Sequence, residues 1–246
     1  MLVANGLEML DITAHLMGEV RTIHPTLLWD EHTVILVDTG YPGQLPLFRE
    51  AIEKAGVPFE RLDRIIMTHQ DIDHIGSLPA ILKESSHPIE VLAHEIEKPY
   101  IQGEKRLIKF SDEMVAQIEQ WPEERRKPML ALISNLPKAD VHRTIEDGEE
   151  LPYCGGLTVI TTPGHTPGHT SLYHRGSKTL IAGDALNVID RQLTGSIPQY
   201  STDPKQAVES LKKLAAYDIE TVICYHGGVF RGNANERIAE LANANS

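Results

Sequence analysis

The densest run of reactive side chains is Thr68-His69-Gln70-Asp71-Ile72-Asp73-His74-Ile75-Gly76, which puts two imidazoles and two carboxylates within six residues. Four such groups on one loop repel one another and are costly to desolvate unless a cation sits among them. Imidazole and carboxylate are the ligands that zinc, manganese and iron take. Read alone, the stretch also fits a solvated polar loop in which Asp71 or Asp73 caps a helix. Three later positions weigh against that. His165 lies in Thr162-Pro163-Gly164-His165-Thr166-Pro167-Gly168-His169, Asp184 in Ala182-Gly183-Asp184-Ala185, and His226 in Cys224-Tyr225-His226-Gly227-Gly228. Each is a ligand-type residue directly after an apolar run and beside glycine, where the backbone turns sharply enough to bring the side chain to a shared rim. Four strand ends with the same feature are hard to ascribe to chance.

The elements that carry these positions follow from residue pattern. Residues 27–29 and 33–37 are apolar runs separated by Asp30-Glu31-His32, the pattern of a hairpin, and the first forty residues read as strands. Leu47, Phe48, Ala51, Ile52 and Ala55 share one helical face, with Gly56 as the stop. Residues 64–67 read as a buried strand, 68–74 as a loop, 75–83 as a helix and 89–93 as a strand. This alternation predicts a layered α/β architecture, in which sites collect at the C-terminal ends of strands. Residues 94–140 are polar, with Met114, Ile118 and Trp121 at helical intervals. They read as a helical insertion too short to bury a core of its own. Strands return at 157–161, 170–174, 179–182 and 221–224, with helices at 204–216, capped by Asp203 and Pro204, and at 233–242.

Composition narrows the function. The chain has 246 residues, 41% of them hydrophobic and 24% charged, and a net charge of −12 from 35 acidic and 23 basic residues. That balance counts against nucleic acid and against an anionic membrane surface as partners. No apolar run approaches the ~20 residues of a membrane span. The N-terminus has no basic, apolar leader, so the expectation is a cytoplasmic protein. Cys154 and Cys224 lie far apart and suggest neither a disulfide framework nor a metal knuckle.

Thr68–Gly76, the Pro163–His169 turn, Gly183-Asp184, His226-Gly227 and the strand-ending Val37-Asp38-Thr39-Gly40 resemble the successive motifs of the metallo-β-lactamase superfamily, over about residues 7–230. The resemblance implies one domain over 1–246, a four-layer αβ/βα sandwich with two metals at one edge, and residues 94–140 covering the pocket. It implies that His69, Asp71 and His165 hold one metal, that Asp73, His74 and His226 hold the other, and that Asp184 bridges them. Zinc is the expected ion. The family usually has His where Asp71 stands; a carboxylate is a harder ligand and tilts that site towards manganese or iron, and weakens it. His169 and Asp38 are expected to support ligands rather than bind metal. The other seven histidines (His15, His24, His32, His87, His94, His142 and His174) have no ligand context, and Cys224 reads as a core thiol.

The function so implied is hydrolysis of a small-molecule ester, thioester or lactone, as in the lactonase and glyoxalase II-like branches. A water between the metals would be the nucleophile, with Asp73 moving a proton. Tyr100, Tyr200 and Tyr225 are candidate donors to the oxyanion, and the sequence does not choose among them. Competing readings are an iron-dependent oxygen or sulfur chemistry on the same fold, a phosphodiesterase, which the acidic balance disfavours, and a metal-free binding module, which seven ligand-type residues disfavour. A homodimer through the insertion is left open.

Overall fold

The computed structural model describes residues 1–16 and 18–243. Two sheets face each other. The first runs in the order Leu2–Ala4, Leu7–Met9, Thr26–Trp29, Val34–Val37, Arg64–Met67, Glu90–His94, Arg143–Ile145. The second runs Glu150–Leu151, Leu157–Thr161, Thr170–His174, Thr179–Gly183, Thr221–Cys224, Gly228–Arg231. The expected hairpin forms, with Leu28 opposite Ile35. From Val34–Val37 to Arg143–Ile145 the pairing is parallel.

Parallel strands are covered on both faces and so read as continuous apolar runs. Successive side chains point to opposite faces, and the core divides accordingly. Ile35, Val37 and Ile66 meet Val159, Leu172, Ile181 and Ile223 between the sheets. Leu36, Ile65 and Met67 point the other way, against Phe48 and Ile52 of the helix Leu45–Lys54. On the far side Leu180 and Val222 pack on Leu211 and Leu214 of the helix Pro204–Leu214 and on Ile238 of the helix Ala234–Asn243. The result is the four-layer αβ/βα sandwich. Asp203 caps Pro204–Leu214 as expected, accepting from the Gln206 N–H at 2.9 Å.

Three sequence expectations need correction. The helix expected over 75–83 begins earlier, as Ile72–Ile75, so Asp73 and His74 are helical rather than loop residues; it resumes as Leu78–Glu84. The break falls where Gly76 packs on the backbone of residues 40–42, and a Cβ there would lie 2.3 Å from the Pro42 nitrogen. Ser77 serves this contact, donating to the Tyr41 carbonyl at 2.6 Å. Second, the insertion is not one helical run. Asp112–Ile118 ends before Trp121, and Glu123–Ser134 starts a separate helix after Pro122. Third, a hairpin of Leu186–Ile189 and Gln192–Gly195 stands beside the second sheet where no element was predicted. No helix among the described residues is long and apolar enough to cross a membrane.

Candidate metal centre

The strand ends converge at one edge of the sandwich. His69, Asp71, His165 and Asp184 offer ligand atoms all within 4.8 Å of one another, and so do Asp73, His74 and His226. Asp184 lies between the groups. Its Oδ2 is 3.3 Å from His165 Nε2 and 3.5 Å from His226 Nε2, and its Oδ1 is 3.4 Å from His74 Nε2. Asp71 Oδ2 lies 3.2 Å from His69 Nε2 and 3.0 Å from His165 Nε2. Asp73 Oδ2 lies 3.3 Å from His226 Nε2. All seven sequence-predicted residues therefore meet, with Asp184 between the two groups.

The donor set fits divalent cations. His69 Nε2, His74 Nε2 and Asp184 Oδ1 are buried with no hydrogen-bond partner among the described residues. Stranding such atoms costs about 1–3 kcal/mol each, a cost a coordinated ion would remove. Asp71 takes the N-cap position of Ile72–Ile75, yet its side chain makes no capping bond and faces the centre instead. Charge points the same way. Burial opposes ionisation of Asp184, but His226, His74 and His165 overcome it and hold the carboxyl well below its usual range. Burial also disfavours charge on His74, yet Asp38, Asp184 and Asp73 raise it well above the usual value. His226 is likewise pushed up to about 10, burial being outweighed by Asp184 and Asp73. The carboxylates thus attract positive charge strongly enough to protonate imidazoles, and a metal would take the protons' place.

Supporting residues fix the rings. Asp38, at φ 65°, turns its carboxylate under the loop from a left-handed conformation that Asp tolerates better than most residues. It accepts from the Thr68 N–H at 2.9 Å and the Thr68 hydroxyl at 2.7 Å, and lies 2.8 Å from His74 Nδ1. Nδ1 thus donates to Asp38 while Nε2 faces the centre. His169 accepts from the Asp184 backbone N–H through Nε2 at 2.9 Å, so it orients Asp184 and does not enter the ligand groups. Gly183 makes that approach possible, since a Cβ there would lie 2.7 Å from His169 Nε2.

Sequence reasoning missed Glu97. It is fully buried. Its Oε2 accepts from Gln70 N and Nε2, both at 3.0 Å. Its Oε1 accepts from Thr166 Oγ1 at 2.8 Å and Gly168 N at 2.7 Å. One carboxylate thus ties the His69 loop to the His165 loop. The available signal was its place three residues beyond the strand Glu90–His94, but no glycine marks it.

Asp71, Asp73, His165, Asp184 and His226 line the floor of a cavity of about 610 Å³. Leu107, Lys109, Phe110 and Met129 of the insertion supply one wall, and Ile197 and Tyr200 another. Arg21 and Tyr41, neither of them predicted, stand at its side. Of the candidate tyrosines, Tyr200 alone lines this cavity. Tyr225 is buried, stacked on His74 at 3.8 Å between ring centroids, with its hydroxyl donating to the Asp73 carbonyl. Tyr100 lines a different cavity, near Lys105 and Lys138.

Comparison with known proteins assigns the family. A sequence model of the metallo-beta-lactamase superfamily matches residues 18–226, and the chain belongs to that superfamily. It is 30% identical over 237 residues to the probable metallo-hydrolase YflN of Bacillus subtilis, covering 87% of this chain and 83% of that protein. It is 29% identical over 200 residues to a hydroxyacylglutathione hydrolase of Xylella fastidiosa, covering 81% of this chain but only 57% of that protein. A metallo-beta-lactamase family protein of Thermus thermophilus shares the fold with a TM-score of 0.74 at 22% identity, covering 99% of this chain and 80% of that one.

Proposed function

We propose that this protein is a metal-dependent hydrolase of a small-molecule ester, thioester or lactone, with His69, Asp71 and His165 holding one divalent ion, Asp73, His74 and His226 a second, and Asp184 reaching both. The observation that carries this reading is the set of buried ligand-type atoms His69 Nε2, His74 Nε2 and Asp184 Oδ1, unpartnered among the described residues, beside a cavity that Asp71, Asp73, His165, Asp184 and His226 line. The likeness to a hydroxyacylglutathione hydrolase supports it. Zinc is the proposed ion, with manganese or iron favoured at the first group by Asp71. Two such ions would supply a nucleophilic water near neutral pH and Lewis acidity towards a carbonyl oxygen.

The chain's own residues do the rest. Leu107, Phe110, Met129 and Ile197 hold the apolar part of the substrate and exclude water around it. Asp73 lines the cavity and is placed to accept and return a proton through its carboxylate. Tyr200 is the proposed hydroxyl donor to the developing oxyanion.

The test is turnover of a panel of lactones, esters and thioesters by protein whose loading with zinc or manganese has been confirmed by elemental analysis, with His74→Ala as control. Metal-dependent turnover lost in the control supports the reading; a fully loaded protein inert to the whole panel overturns it. Asp71 favours one competing reading, an iron enzyme, and bound iron with oxygen uptake would establish that instead.

A further inference from the structure

One cation of the chain already stands in the first ligand group. Lys109 donates from Nζ to Asp71 Oδ2, and the same nitrogen is 3.0 Å from His165 Nε2. Its side chain is about one-third exposed, whereas Asp71 and His165 are almost wholly buried. The lysine is delivered by design of the backbone. It sits in the short 3-10 turn Ile108–Phe110, and the Ile108 N–H donates to Gln70 Oε1 at 2.8 Å. Gln70 is in turn held at N and Nε2 by Glu97. The turn bearing Lys109 is therefore pinned to the residue next to Asp71. The second group, Asp73, His74 and His226, has no lysine or arginine paired to it among the described residues.

Charge explains why a lysine belongs at the first group. Asp71 brings a negative charge where a histidine would bring none, and an ammonium bonded to it restores the balance without a metal. An ammonium and a divalent ion cannot share the Asp71 and His165 ligand atoms. Resting on the metal-dependent reading above, we infer that Lys109 is a built-in, exchangeable occupant of the first cation site, so that the Asp73, His74 and His226 group fills first and the Asp71 group binds its ion only by displacing the Lys109 ammonium. The two halves of the centre are then loaded in sequence. The lysine displaced from Asp71 stays within the cavity wall, since its turn remains tied through Ile108 to Gln70.

Zinc titrated calorimetrically into the metal-free, full-length protein tests this, alongside Lys109→Leu and Lys109→Gln. We expect two binding events in the parent protein. In both variants the weaker event tightens about tenfold or more, the change expected when an occupant leaving roughly one-tenth of molecules competent is removed. The stronger event stays within about threefold, since Lys109 does not contact that group. Melting temperatures add a readout that a merely structural role would not give. Without metal the variants melt lower, because Asp71 has lost its cation; with excess zinc the difference closes, because the ion then stands in place of the ammonium in parent and variants alike. If Lys109→Leu does not fold, Lys109→Gln keeps a polar head and decides the matter. Two equal events in the parent protein, or a weaker event unmoved in the folded variants, overturns the inference and leaves the hydrolase reading standing. No zinc binding at all in the parent protein overturns the hydrolase reading itself.

Discussion

The segment of residues 68–77 and the insertion of residues 94–140 face the same cavity, yet they are built by opposite means. The segment is buried and over-determined: Thr68, His69, Gln70, His74 and Ser77 are all fully buried, and Asp38, Glu97 and the Tyr41 carbonyl take their hydrogen bonds. The insertion buries Ile101 and Leu107 in the core, but its outer part is open. Its helix Glu123–Ser134 buries no residue and carries Pro128 in its interior, where proline removes a backbone hydrogen bond. Chemistry needs groups held to a fraction of an ångström, and substrate fit needs only a wall of suitable character. The floor should therefore be intolerant of change and the cover permissive.

The sharpest way to break this contrast is at the floor. His74→Ala should lower turnover on the order of 10³-fold, since metal assistance contributes several kcal/mol and each ~1.4 kcal/mol is a factor of ten; steady-state kinetics on the responsive substrate checks it. Protons compete next. His226 holds its proton up to about pH 10 in the metal-free protein, so apparent metal affinity should fall as pH drops from 8 to 6, by about tenfold per unit for each proton displaced. Competition with a chelator at fixed pH reads this directly, and a flat profile would mean the imidazoles are not the ligands.

Glu97→Gln sharpens the comparison by attacking a support and no ligand. It turns one acceptor oxygen into a donor facing another donor, and should cost about 1–3 kcal/mol of stability by denaturant unfolding, together with about 10–100-fold in metal affinity. On the cover, Phe110→Ala should raise KM about fivefold with kcat nearly unchanged, as expected for lost uniform binding of an apolar group. Smallest of all, Arg125→Ala on the exposed helix should change stability by no more than about 0.5 kcal/mol. An Arg125 effect as large as that of Glu97 would erase the distinction between floor and cover.

Much of the floor was legible before any coordinates. His69, Asp71, Asp73 and His74 were recognisable because four ligand-type residues crowd one segment after an apolar strand, and His165, Asp184 and His226 because each follows an apolar strand beside glycine, at the strand ends where sites of α/β folds collect. The supporting roles of Asp38 and His169 were likewise expected. The expectation for 75–83 failed because a packing contact at Gly76, distant in sequence, decides where the helix breaks. Trp121 failed because apolar spacing continued past the end of a helix that Pro122 closes.

What the chain's residue pattern determined by itself was local: which segments alternate or repeat, which turn sharply, and which ligand types stand at the turns. What only the tertiary structure decided was partnership across distance. Glu97 reaches Thr166 and Gly168 some seventy positions on, and Lys109 reaches Asp71 and His165 at separations of 38 and 56 residues. Tyr225 was diverted from the cavity to the back of His74, and Arg21 and Tyr41 were brought to its side. The physical reason is that periodicity encodes which way a side chain points from its own element, whereas its neighbours are set by how the two sheets stack, and a single hydrogen bond between distant residues leaves no periodic trace.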